Sequence, residues 1–408
     1  MKKKYDVVVW GATGFTGKWV AKHLADHYPQ EKLSWAIAGR NQTKLREIQG
    51  FLELDQELQP DELVADSGDE NSLRELVSNT KVIISTVGPY AFYGSLLVAL
   101  CAELGTDYVD LTGEVPWIRD MIDLHSEAAS NSGARIVHSC GFDSIPSDLG
   151  VFYTQGQARQ KYGEPLKSIS YNLLKTKGGA SGGTIASMMN VIELAVKDKQ
   201  IRRLLANPYS LNPDASFDGP DKPDQTSVVH SLELNKWTAP FVMAGINTRI
   251  VRRSNALMDF AYGKQFEYSE TMVVAAGAKG YMQAKSISAA IKAMMFAGVT
   301  GAGRKLLAWF LPAQGEGPVV DPKDPGFYNI QFVGKTAAGE IFNTHLYGDG
   351  DPGYGSTSKM LAESAICLAK DSLDTKGGFW TPASAMGDAL LQRLQDKGGL
   401  TFKVLENS

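Results

Sequence analysis

The sequence predicts an α/β chain in which an N-terminal doubly wound parallel sheet is followed by an α+β domain on a mixed or antiparallel sheet. Three observations carry that expectation. Between Tyr5 and Leu24 an apolar run meets a glycine-rich turn and then an amphipathic helix. Apolar strand candidates and helical patterns then alternate up to about residue 140, the mark of a parallel sheet with right-handed crossovers. After Pro146 longer strands with period-two patterning replace this rhythm.

The first element is the run Val7, Val8, Val9, Trp10, read as a buried strand. Gly11-Ala12-Thr13-Gly14-Phe15-Thr16-Gly17 follows and opens the first helix. Glycines let backbone approach phosphate oxygens closely, and the N–H groups and positive end of a helix favour an anion there. The spacing is G-x-x-G-x-x-G instead of the commoner G-x-G-x-x-G, so its place between strand and helix supplies the rest of the argument. Gly11, Thr13, Gly14, Phe15, Thr16 and Gly17 are therefore the expected pyrophosphate cradle of a Rossmann-type domain, against the alternative of an ordinary glycine turn.

The second strand, Leu33 to Ala38, ends in Gly39-Arg40-Asn41 and has no acid where NAD ribose hydroxyls would be gripped. An arginine there pairs with a 2′-phosphate, so Arg40 points to NADP(H); its alternative role is a plain surface cap. Asp66 closes the third strand, Leu63 to Ala65, as an adenine-side edge or as the lead-in to the helix Asn71 to Ser78.

Strands are then expected at Val82 to Val87, Asp107 to Leu111 and Arg135 to Ser139, with helices at Ser72 to Ser78, Ser95 to Leu104 and Trp117 to Ser130. Ligands of such sheets sit beyond the carboxyl ends of the strands. There the sequence places Ser85, Gly88 and Pro89 as further cofactor contacts, since glycine admits close approach and proline fixes the turn. Tyr90, Glu114 and Asp143 lie at the same strand ends and are the candidate proton donors, Tyr90 foremost. Either carboxyl needs burial to raise its pKa before it can donate near neutrality, and each of the three could merely cap a helix. Ser181-Gly182-Gly183-Thr184 reads as a substrate-holding loop or a flexible turn before a helix from Ile185.

Second-domain strands are expected at Ser168 to Leu174, Gln265 to Ala275, Tyr328 to Gly334 and Ile341 to Tyr347. Asn207 to Gln225 and Pro312 to Gly326 are long loops, read as a lid or rim. Helices Ser356 to Lys370 and Ala383 to Lys397 are expected to pack back on the first domain. The division is thus 1–145, completed by 350–408, with 146–349 as the substrate domain. Ala289 to Leu311 is too broken by Lys292, Arg304 and Lys305 to span a bilayer, and reads first as a core helix, second as an interfacial one.

Composition sets the outer limits. A chain of 408 residues with 43% hydrophobic residues has room for two or three domains, and a net charge of −4 gives no electrostatic case for nucleic acid. Three scattered cysteines suit a reducing cytoplasm, and the first strand begins too early for a signal peptide. The histidine pair His23 and His27 reads as a surface helix face, and no metal site is expected.

Taken with Ala38-Gly39-Arg40, Thr86-Val87-Gly88-Pro89-Tyr90, Thr112-Gly113-Glu114, Gly141 to Asp148 and Ser181 to Thr184, the first glycine motif resembles the saccharopine dehydrogenase-like family in its trans-acting enoyl reductase branch. Asp349 to Tyr354 and Gly377 to Ala383 extend the likeness over nearly the whole chain. The resemblance implies an NADPH-dependent reductase of an unsaturated acyl chain or other small molecule. Saccharopine-type imine reduction is the alternative; it would require converging arginines, and Arg202-Arg203, Arg249 and Arg252-Arg253 show no such pattern in sequence. A third reading is a weakly active NADP-binding protein on lipid surfaces. Peripheral lipid contact through 289–311 and homodimerisation stay open. Tyr281 and Lys285, with Ser269 upstream, match the Y-x-x-x-K spacing of short-chain reductases, a frequency expected by chance.

Overall fold

The computed structural model describes residues 3–29, 33–179, 182–304 and 325–406. Its first sheet is built from β1 (Tyr5–Trp10), β2 (Trp35–Gly39), β3 (Asp61–Val64), β4 (Thr80–Ser85), β5 (Asp107–Asp110) and β6 (Arg135–Val137). Between and after them run α1 (Phe15–His27), α2 (Gln42–Leu52), α3 (Glu70–Ser78), α4 (Tyr90–Tyr93), α5 (Ser95–Leu104), α6 (Val115–Ser132) and α7 (Ile145–Tyr162). All neighbours in this sheet are parallel, and the order β3-β2-β1-β4-β5-β6 reverses direction between β1 and β4. That reversal opens the crevice in which such sheets bind ligands. Both faces of β1 are covered, as a continuous apolar strand requires: Val7 and Val9 join the cluster with Leu24 and Ile37, and Val8 and Trp10 the cluster with Leu73 and Leu97.

The second sheet uses β7 (Ser168–Lys177), β8 (Val229–Ser231), β9 (Lys236–Pro240), β10 (Glu267–Val273), β11 (Phe327–Lys335) and β12 (Ile341–Gly348). It is mixed: β7 and β10 are parallel, and β11 pairs antiparallel with both β7 and β12. Helices α8 (Gly182–Lys197), α9 (Lys199–Ala206), α10 (Ala244–Leu257) and α11 (Gly277–Val299) lie between its strands in sequence.

The tail is divided between the two sheets. Helix α12 (Gly355–Lys370) packs on α1, β4 and β5, and β13 (Gly378–Trp380) extends the first sheet beside β6. Helix α13 (Pro382–Asp396) packs on α12 and α7, whereas β14 (Leu400–Leu405) closes the edge of the second sheet beside β12. The whole tail was expected on the first domain; the alternation Leu400, Phe402 buried and Thr401, Lys403 exposed is what sends its end to the other sheet.

Two other expectations change. His23 is buried and its Nε2 lies 2.8 Å from Oε1 of Glu363 on α12, which also receives the hydroxyl of Tyr28, so the histidine belongs to an interhelical polar cluster and not to a surface face. Helix α11 is not a core helix. Met282, Met295, Phe296 and Val299 are exposed, Phe296 by 74%, and its close contacts run through Gly280, Ala284, Ser288 and Gly298. Among the described residues no helix is long and apolar enough to cross a membrane. The loop Pro312 to Gly326 and the end of the 289–311 segment lie outside or almost wholly outside the described residues.

Candidate functional site

One cavity of about 900 Å3 begins at the sheet's reversal point and continues between the second domain's helices. Its first end is the glycine turn. Gly11 holds φ +88°, and its N–H and that of Ala12 donate to the carbonyl of Ala38 at 3.0 and 3.2 Å. A Cβ on Gly17 would collide with the carbonyl of Gly11, so the helix sits against the turn only because Gly17 has no side chain. Helix α1 begins at Phe15 after the cap residue Gly14, with no side-chain cap bond and no acid in its first turn. Its positive end is left for an outside anion. Gly11, Thr13, Gly14, Phe15 and Thr16 all line the cavity, and this uncapped cradle fits a pyrophosphate.

Arg40 lines the same end, exposed and with no ion pair among the described residues. Lys44, in the first turn of α2, joins it, as does Ser67. Ser67 follows Asp66 at the expected adenine-side edge; Lys44 is not among the sequence candidates, although a lysine three residues after the helix cap Asn41 is a visible signal for a second cation beside a phosphate.

Four expected cofactor residues, Gly17, Asp66, Ser85 and Pro89, are not part of this wall. Gly17 packs on the turn itself. Asp66 points its Oδ1 at the N–H of Gly68 at 2.8 Å, closing a local turn. Ser85 is 1% exposed, and Thr86 takes the cavity position. Pro89 is buried as the cap of α4, after a cis peptide bond from Gly88, which does line the cavity.

The three candidate proton donors separate. The ring of Tyr90 reaches the cavity wall, but its hydroxyl donates to the carbonyl of Ser85 at 3.0 Å and accepts from the N–H of Leu111. Burial and the nearby carboxylate of Asp110 push its pKa well above the ordinary phenol range. Glu114 is 1% exposed and serves as an acceptor: Tyr90 N–H donates to Oε1 at 2.8 Å, Ala91 N–H to Oε2 at 3.1 Å, and Ser187 Oγ to Oε1 at 2.7 Å. It caps α4 from outside, and its neighbours Gly113 and Val115 form the wall. Asp143 lines the cavity, half-buried, and its carboxyl has no hydrogen-bond partner among the described residues. Burial alone pushes its pKa up to about 7.

Opposite these strand ends stands α8. It starts at Gly182, so Gly183 and Thr184 form its first turn instead of a loop and line the cavity; Ser181 lies outside the described residues. The two halves meet closely: a Cβ on Gly88 would lie 3.9 Å from Ser187 Oγ, and one on Gly113 would lie 3.8 Å from Ile246 Cγ2. Beyond this junction the wall is largely apolar, with Met188, Val191, Ile192, Met243 and Ile246.

The stretch 207–225 forms part of the rim and is pinned to α10. Arg249 pairs with Asp224 at 2.9 Å and donates to the carbonyl of Leu205; Arg252 pairs with Asp221 at 2.8 Å. Arg253 donates to the carbonyls of Leu211 and Phe379. Tyr281 and Lys285 lie on α11 outside this cavity, the ammonium 4.9 Å from the ring centroid, and Ser269 is exposed on β10. A buried pair missed in the sequence, His138 Nδ1 and Asp110 Oδ2 at 2.7 Å, braces the ends of β5 and β6 behind the wall.

Comparison with known proteins agrees with this geometry. Residues 7–137 match the family model described as the saccharopine dehydrogenase NADP binding domain. A Mycobacterium tuberculosis protein is 40% identical, covering 97% of this chain and 96% of its own length. The trans-acting enoyl reductase of Mycobacterium ulcerans is 38% identical, with 97% of each chain covered. Among solved structures, apo saccharopine dehydrogenase (L-Glu forming) from Saccharomyces cerevisiae superposes with a TM-score of 0.55 at 14% identity, covering 98% of this chain and 99% of its own.

Proposed function

This chain belongs to the saccharopine dehydrogenase-like family, in its trans-acting enoyl reductase branch, and we propose that it reduces the double bond of a 2-enoyl acyl thioester, with Asp143 as proton donor. That it is an NADP-dependent oxidoreductase follows from its family and its nucleotide domain. The substrate reading is supported chiefly by Asp143, an unpartnered carboxyl that lines the same cavity as the glycine turn and the apolar residues of α8 and whose pKa burial raises to about 7.

When bound, NADPH supplies a hydride, which adds to the alkene carbon farther from the thioester carbonyl. Gly11, Thr13, Gly14 and Thr16 would hold its pyrophosphate, and Arg40 with Lys44 its 2′-phosphate. The alkene π pair shifts toward the carbonyl, and negative charge grows on the thioester oxygen. The N-terminal turn of α8, with Gly183 and Thr184 in the wall, offers the positive end of a helix to that oxygen. Asp143, partly protonated near neutrality, gives its proton to the carbon next to the carbonyl and regains one from solvent. Tyr90 and Glu114 act as positioning residues that hold the Gly88 turn.

The imine alternative is less well supported. A substrate with several carboxylates needs several uncommitted cations; Arg249, Arg252 and Arg253 are spent on Asp224, Asp221 and backbone carbonyls, which leaves Arg202 as the second-domain arginine that lines the cavity without a carboxylate partner among the described residues. Incubation with NADPH in deuterated water tests both readings. Enoyl reduction places one solvent deuteron on the carbon next to the thioester carbonyl. Consumption of NADPH with glutamate-derived imines, and none with enoyl thioesters, would reverse the assignment.

A further inference from the structure

The apolar half of the cavity is more than a lining for the reacting carbons. Past the junction of Gly88 and Ser187 it runs between α8, α9 and α11, walled by Val191, Ala195, Leu205, Met243, Met295 and Val299. Their side chains offer no hydrogen bond to a ligand and reward the removal of alkyl surface from water; the charged residues in the same lining are Arg249, paired with Asp224, and Arg202, which donates to the carbonyls of Ala195 and Val196. The methionines add an adaptable thioether wall that conforms to chains of different shape. Helices α8 and α11 cross at Gly298. A Cβ there would lie 3.0 Å from Ile192 Cδ1, 3.2 Å from Ile192 Cγ2 and 3.5 Å from Met189 Sδ. This close crossing sets how far apart the two walls of the arm stand. At the outer end Val196, Met295 and Val299 are each about half exposed while still lining the cavity, so the arm opens to solvent there, beside the exposed Arg202 whose guanidinium donates to the carbonyls of Ala195 and Val196.

We propose that this arm is an alkyl-chain channel, that the α8 and α11 walls set by the Gly298 crossing determine which chain lengths the protein binds, and that Ala195 and Val299 are the residues at which its length can be cut. The proposal deepens the enoyl-thioester reading and rests on it for the identity of the headgroup. The bore itself is a property of this chain's own side chains. Because the mouth is open, the channel holds a fixed number of methylenes and leaves longer chains protruding, which predicts a plateau in affinity and not a cut-off.

The test uses saturated S-acyl-N-acetylcysteamine thioesters from butanoyl to hexadecanoyl, which bind without being reduced, titrated calorimetrically into the full-length protein with NADPH present. Wild-type affinity is expected to rise by roughly fourfold per methylene over the covered length and then level off. Ala195→Phe and Val299→Trp, at half-buried and exposed wall positions, are expected to move the plateau to shorter chains and leave the affinities for butanoyl thioester and NADPH unchanged. NADPH affinity and circular dichroism of each variant verify the fold independently of turnover. Affinity that does not depend on chain length in the wild type overturns the proposal, as does an equal loss for butanoyl and hexadecanoyl ligands in both variants. Length-dependent binding without enoyl reduction would leave the channel standing and remove the proposed reaction; enoyl reduction without length dependence would do the reverse.

Discussion

The hydroxyl of Ser187 donates to the carboxylate of Glu114 across 2.7 Å, tying helix α8 of the second domain to the strand-end turn of the nucleotide domain. The same carboxylate receives the N–H groups of Tyr90 and Ala91, so one buried acid fixes both the Gly88 turn and the helix that faces it. Glu114→Gln replaces one acceptor oxygen with a donor in a site that contains three donors. It should lower unfolding stability by about 2 to 3 kcal/mol, and Ser187→Ala by about 1 kcal/mol. Urea denaturation checks both; a Glu114→Gln variant with wild-type stability and no turnover would make Glu114 a chemical participant.

Tyr90→Phe separates placement from chemistry. Its hydroxyl is committed to the carbonyl of Ser85, so its loss should cost about 1 kcal/mol of stability and leave turnover within a few-fold of wild type. A drop of about a hundredfold, the scale of a lost general acid, would return Tyr90 to the role first read from its sequence position.

Arg40→Ala and Lys44→Ala should each weaken NADPH binding by about tenfold or more and NADH binding hardly at all, because each removes a cavity-lining cation proposed to pair with the 2′-phosphate. Fluorescence titration with both coenzymes decides. Equal losses would place these cations on the shared pyrophosphate instead.

The raised pKa of Asp143 has a definite sign. An acid whose folded pKa is higher than its unfolded one favours the folded state below the unfolded pKa, and that contribution is lost as pH rises through about 7. Asp143→Asn removes this titration. Relative to wild type, the variant should gain stability as pH rises from about 4 to about 7 and hold that gain above it, with the gap closing toward acid. Asp148 and Glu270, also raised to about 7 by burial, are common to both proteins, so thermal melting of the pair across pH isolates Asp143. A stability difference that does not change with pH would mean Asp143 titrates in its ordinary range.

Much of the nucleotide half was legible because its signals are local. Val7 to Trp10 followed by Gly11, Gly14 and Gly17 can hardly fold otherwise, and the missing acid after Ala38 is visible at a glance. The choice among Tyr90, Glu114 and Asp143 was not legible, since it depends on where a hydroxyl or carboxylate points after packing. Tyr90 turns inward to the carbonyl of Ser85 at the end of the preceding strand, whereas Asp143 lines the cavity. Ser187 gave no signal at all: a serine inside a helix acquires its role only when Glu114, 73 positions earlier, is brought beside it. Helix α11 misled because an apolar composition does not say which face is covered. Its small residues Gly280, Ala284 and Gly298 make the contacts, and the large ones stay outside.

The central claim is that Asp143 delivers the proton in an NADPH-dependent enoyl reduction. It is tested most directly by NADPH oxidation with a trans-2-enoyl thioester in wild type and Asp143→Asn, each titrated with NADPH beforehand. The account predicts wild-type turnover, unchanged NADPH affinity in the variant, and a kcat lower by about a hundredfold or more. Equal turnover in the two proteins would contradict it.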